Sequence, residues 1–87
     1  MNLAYEIIAL SDRQNRVGAE VNKRKDEKHL FERINYYLTL RQTQTVSVRL
    51  SGDIASEIFN KICKKYENAN CRFGKGGEIA YITIERK

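Results

Sequence analysis

The run from Thr45 to Glu85 constrains this chain most, because three different hydrophobic patterns follow one another there with turn residues between them. In Thr45–Leu50, Val46, Val48 and Leu50 alternate with Thr45, Ser47 and Arg49. That is the two-residue period of a half-buried strand. Ser51-Gly52-Asp53 breaks it, and Ser51 or Asp53 can cap a following helix by accepting from a free backbone amide. From there Ile54, Ala55, Ile58, Phe59, Ile62, Cys63 and Tyr66 recur at steps of three and four, one face of a helix. Glu57, Lys61, Lys64 and Lys65 fall on its other side. Asn68 and Asn70 suit the exit, since asparagine tolerates a left-handed backbone. Cys71-Arg72-Phe73 and Ile79–Glu85 are β-prone runs joined by Gly74-Lys75-Gly76-Gly77, the signature of a hairpin. The last run is apolar on both faces, which places it inside its sheet.

The N-terminal half carries a weaker pattern. Leu30, Phe31, Ile34, Tyr37 and Leu38 sit at helical spacing between Asp26 and Leu40. Before them, Leu3, Ile7, Leu10, Gln14, Val17 and Val21 recur at alternating steps of four and three, which suits a helix or a coiled-coil seam between two copies. Ser11 with Gln14 reads as a capping box that starts a helix at Asp12. Leu3, Tyr5, Ile7 and Ala9 also alternate as a strand would; helix is the preferred reading. Asn22–Lys25 interrupts the apolar pattern and marks a break. The expectation is an α+β fold in a single domain over 1–87. Residues 1–41 would be mainly helical, with one or two helices, and 44–87 would form a β-α-β-β unit ending in a β-hairpin.

At 87 residues the core is thin, and folding has modest reserve without a partner copy. Homodimerisation through the N-terminal helix is one expected remedy. The net charge is +5 and the pI about 9.4, which favours anionic partners. The excess is uneven: residues 23–50 carry seven basic and three acidic side chains, whereas 1–22 carry two and three. No stretch reaches the roughly 20 apolar residues that span a bilayer, so no membrane partner is expected. Cys63 and Cys71 match no metal or redox spacing, and free thiols in the cytoplasm are the expectation.

Lys23-Arg24-Lys25, followed by Lys28, is the densest cationic cluster. Such a cluster either solvates a chain junction or neutralises phosphates without regard to base sequence. Arg72 and Lys75 flank and tip the glycine connection, where a bare backbone lets phosphates approach. Tyr36 and Tyr37 point about 100° apart on a helix. One therefore joins the core, and Tyr36 becomes a stacking or interface anchor. His29 is the only histidine and has no nucleophile motif beside it, so neither catalysis nor a cofactor or metal is expected.

Two short segments resemble known DNA-binding elements. Thr45–Leu50 with Asp53–Ile58 looks like the strand and first helix of ribbon–helix–helix repressors, yet a glycine hairpin stands where that family has its second helix. The terminal hairpin resembles the wing of winged-helix proteins, yet no separate recognition helix precedes it. The functional expectation is a small non-catalytic nucleic-acid-binding or regulatory protein. The alternative is a protein–protein module, such as an inhibitor of a nucleic-acid-handling complex of the kind phages and mobile elements encode.

Overall fold

The computed structural model describes residues 2–12 and 15–87. Its chain order is β1 (Asn2–Leu10), β2 (Arg16–Asp26), α1 (Glu27–Asn35), a π-helical turn (Tyr36–Leu40), β3 (Thr45–Ser51), α2 (Gly52–Lys65), β4 (Ala69–Gly76) and β5 (Ile79–Arg86). The strands form one antiparallel sheet in the order β2-β1-β3-β5-β4. Both helices pack on the same face of it.

The α+β class holds, but the mainly helical N-terminal region does not, and the element order differs from the one expected. No helix precedes Glu27 among the described residues; Asn2–Leu10 and Arg16–Asp26 pair as two antiparallel strands instead. In β1 the strand alternation wins: Leu3, Tyr5, Ile7 and Ala9 are buried, while Ala4 and Ile8 are exposed. Leu3 and Ile7 lie four apart, an even step that fits a strand face as well as a helix face, so the heptad-like spacing was ambiguous. The helix that was to carry a dimer seam is a strand. The expected capping box rests on Gln14, which lies outside the described residues.

β2 resists recognition because its polarity is inverted. Register places Gly18 opposite Ala9, Glu20 opposite Ile7 and Asn22 opposite Tyr5, so its polar and bare positions face the helices. Val21 faces away and is 62% exposed. Glu20 is nonetheless satisfied. Arg33 of α1 donates to both its oxygens over 2.7–3.1 Å, Tyr37 donates its hydroxyl at 2.7 Å, and Asn22 donates its amide at 2.8 Å. These donors hold the Glu20 carboxyl down at about 2, chiefly through Arg33 and against the opposing pull of burial. The Tyr37 ring lies directly over Gly18: a Cβ there would come within 2.7 Å of the ring edge.

α1 begins on Asp26, whose side chain accepts from the His29 amide at 2.8 Å. Its last turn widens, with the Arg41 amide reaching back to the Tyr36 carbonyl. The buried Thr43 ends it by donating both its amide and its hydroxyl to the Tyr37 carbonyl. From Thr45 onward the strand, helix and hairpin follow in the expected order. α2 is capped by Ser51 and buries Ala55, Ile58 and Ile62 against Val46, Val48, Leu50, Ala80, Ile82 and Ile84. The final connection is tighter than expected: β4 runs through Gly74 to Gly76, and the turn is Gly77-Glu78, with Gly77 at φ +68. Lys75 therefore sits within a strand and not at a loop tip.

Gly18→Ala is expected to cost about 1–3 kcal/mol by displacing the Tyr37 ring, read as a lower urea midpoint. The Glu20 carboxyl titrates lower in the folded chain than in the unfolded one. Its contribution is therefore fully present above pH 4.5 and disappears as pH falls toward 2. Glu20→Gln should flatten the acid limb of stability over that window, as followed by circular dichroism.

Candidate nucleic-acid interface

The cationic cluster owes its shape to a bulge. Between Tyr5↔Asn22 and Leu3↔Lys25, one β1 residue (Ala4) opposes two β2 residues (Lys23 and Arg24). Arg24 takes up the slack in the left-handed region at φ +56. Lys23, Arg24, Lys25 and Lys28 are all exposed, and none has an ion pair among the described residues. The neighbouring acids are committed elsewhere. Asp26 caps α1, and Glu27 takes the Lys61 ammonium of α2 at 2.8 Å. One corner of the sheet thus carries four cations whose sequence-adjacent carboxylates are engaged.

Lys75 stands at the other corner of the same end. The register runs from Asn22 and Tyr5 through Leu50 and Ala80 to Lys75, so the C-terminal parts of β2, β3 and β4 lie at the same end of the sheet. At four strand spacings, the two corners lie roughly 19 Å apart. An open groove lined by Glu6, Val21, Lys23, Arg49, Ser51, Asp53, Ile54 and Ile79 occupies the intervening surface. A second hollow, sharing Ser51 and Asp53 with it, reaches Lys75 and Glu78. The stem of Lys75 passes over Gly52 at the start of α2, where an added Cβ would meet its Cε at 3.0 Å.

The other expected site residues go elsewhere. Arg72 lies further along β4, opposite Thr83, and its guanidinium is 3.8 Å from Glu85. Tyr36 is at the far end of the sheet and only half-buried. Its ring stacks on Arg33, 4.5 Å from guanidinium carbon to ring centroid, and its hydroxyl accepts from Arg41. It braces the Glu20–Arg33 cluster and does not join the cations. Tyr37 is the core member of the pair.

His29 is tied down as well: its Nδ1 shares a hydrogen bond with the Tyr5 hydroxyl, which burial, more than any nearby charge, pushes up to about 12. Cys63 and Cys71 are free and half-buried, and burial raises the Cys71 thiol, with Cys63 next in effect. No group of three or more potential metal ligands occurs among the described residues, and no helix among them is long and apolar enough to cross a membrane.

Sequence reasoning passed over the sheet face that no helix covers. Ile8, Val21 and Tyr81 are its exposed large apolar side chains, and Arg49 lies beside Tyr81 and Glu6. The signal was present in the alternation: Arg49 and Tyr81 both occupy the outward phase of their strands. Only the β3–β5 pairing, which sets them opposite each other, turns two separate residues into a pair. Compared with known proteins, the chain matches no family model and no curated protein sequence.

Arg24 in the bulge and Lys25 just after it should respond to glycine with opposite signs. Arg24→Gly relieves a left-handed residue and is expected to raise stability by about 0.5–1 kcal/mol. Lys25→Gly, on an ordinary backbone, should lower it by a similar amount. Urea titration of both variants measures the contrast.

Proposed function

We propose that this protein is a small, non-catalytic nucleic-acid-binding protein of the cytoplasm that contacts phosphates through the cationic end of its sheet. One observation carries the reading: Lys23, Arg24, Lys25 and Lys28 are all exposed at one corner without ion pairs among the described residues, while Asp26 and Glu27 are engaged by α1 and by Lys61. A surface lysine held by a carboxylate must exchange one partner for another when it meets a phosphate. An unpaired one releases only counterions, and that release drives association. Lys75 at the second corner extends the contact across the sheet, with the groove beside Ser51 between them.

The placement also serves folding. Both cationic segments lie on edge strands, where charge and bulges discourage pairing with another chain. Edge protection requires no particular cation to be free of a carboxylate, and it does not require Lys75 to lie at the same end of the sheet as Lys23–Lys28. The phosphate-binding reading accounts for both features.

Fluorescence anisotropy with a labelled oligonucleotide between 25 and 200 mM salt tests the proposal (about micromolar affinity or weaker is expected of non-specific contacts). Affinity should fall steeply with salt. Lys23→Ala, Lys25→Ala and Lys28→Ala combined should lower the log–log slope by about 2–3, close to one for each phosphate no longer neutralised. Undetectable binding at low salt, or affinity that is flat in salt, rejects the proposal. In that case, capture of a protein from lysate that survives nuclease treatment would support the interaction-module alternative.

A further inference from the structure

We infer that the uncovered face of the sheet receives single-stranded nucleic acid, with one base stacked against Tyr81 above the bare backbone of Gly74. This rests on the phosphate-binding reading and adds to it a base contact and a choice of strand state. Tyr81 lies on β5, one strand in from the edge, and is 46% exposed. On one side its register neighbour is Arg49 of β3, whose guanidinium carbon is 5.9 Å from the ring centroid. On the other side its neighbour is Gly74 of β4.

An aromatic ring opposite a strand glycine commonly folds over it and covers its backbone. Here it does not: a Cβ built on Gly74 meets nothing within 4 Å, and the same holds at Gly76. The flank of Tyr81 away from Arg49 therefore looks onto open space floored by peptide backbone. A flat, polarisable ring fits that space, and the tyrosine supplies the stacking surface.

Charge selects the occupant. Arg72 stands diagonally across β4 and β5 from Tyr81, and Lys23 marks the end of the same face. Glu6 and Glu85 also face this surface, but each is held by an arginine, at 3.6 and 3.8 Å. These are long, exposed contacts that contribute little to stability and yield readily to a phosphate. Duplex bases are already stacked on one another and present only their edges, so a ring on a broad sheet face cannot reach a base plane there. A single strand exposes both bases and phosphates.

The test is anisotropy with three labelled probes: a 12-nucleotide oligothymidine, an abasic strand of the same length, and a 12-base-pair duplex. Tyr81→Ala should weaken oligothymidine binding roughly 5- to 100-fold, the range of one aromatic–base stack. It should leave the abasic strand and the duplex unchanged. Tyr81→Phe should bind oligothymidine within twofold of the parent, and Gly74→Val, which fills the space, should weaken it like the alanine variant. Circular dichroism confirms that each variant is folded. Salt-dependent binding that Tyr81→Ala does not alter, or alters equally for the abasic strand, overturns the inference and leaves the phosphate reading standing. Absence of binding to all three probes at low salt removes both.

Discussion

The Glu20 carboxylate is the contact on which the N-terminal half depends. A hairpin such as β1–β2 is marginal alone, and β2 offers the helices no apolar face with which to bind them. What it offers is one acceptor with two oxygens, met by the forked guanidinium of Arg33 and by the Tyr37 hydroxyl. A bidentate charge-assisted pair fixes orientation as well as distance. It sets the rotation of α1, and that rotation turns Leu30 and Ile34 inward over Tyr5 and Ile7. Tyr36 stacks on the same guanidinium from outside, and the Tyr37 ring closes over Gly18. The polar cluster thus does for β2 what apolar burial does for the other interior-facing strands.

This division explains why the two halves of the chain differed in legibility. For α2 and its flanking strands, each residue's partner type is implied by its own local period: Val46, Val48 and Leu50 need an apolar cover, and Ala55, Ile58 and Ile62 provide one. For β2 the local period misleads. Ala19 and Val21 look like an inward face and point outward, while Glu20 and Asn22 look solvated and point in. The partners of Glu20 lie on α1 and the turn after it, thirteen or more residues further along, so no window of a few residues contains both halves of the interaction. In β1, Leu3 and Ile7 fit either period, and Tyr5 with Ala9 decided for strand. Two bulges compounded the difficulty by breaking the alternation of β2 near Val17 and at Lys23–Arg24.

The candidate site was legible in composition and not in arrangement. Lys23, Arg24, Lys25 and Lys28 stood out as a cluster, and they remain together at one corner. That Lys75 joins their end of the sheet while Arg72 does not follows from register. β4 is antiparallel to β5, so three residues along the strand move a side chain by about 10 Å and to the other face. Tyr36 illustrates the opposite case. An aromatic side chain on a helix with a tyrosine neighbour suggested an exposed anchor, but the widened last turn of α1 folds it onto Arg33. Tyr81 carried no sequence signal beyond its outward strand phase, because its interest comes from the glycine opposite it in space.

The bulge at Lys23–Arg24 connects these themes. In an unbroken register Arg24 would oppose Leu3 and Lys25 would oppose Asn2, leaving Asp26 beyond the end of β1. The extra residue moves Lys25 opposite Leu3 and brings Asp26 level with Asn2, in the last row of the sheet. From there Asp26 can accept from the His29 amide and start α1, and Glu27 comes within reach of Lys61. One inserted residue, at the cost of a left-handed arginine, therefore both launches the helix and draws the acids away from the cations. Backbone strain retained at a non-glycine position is accounted for when the surrounding structure depends on it. Here the start of α1 and a cationic corner without ion pairs among the described residues both do, so fold and candidate function rest on the same irregularity.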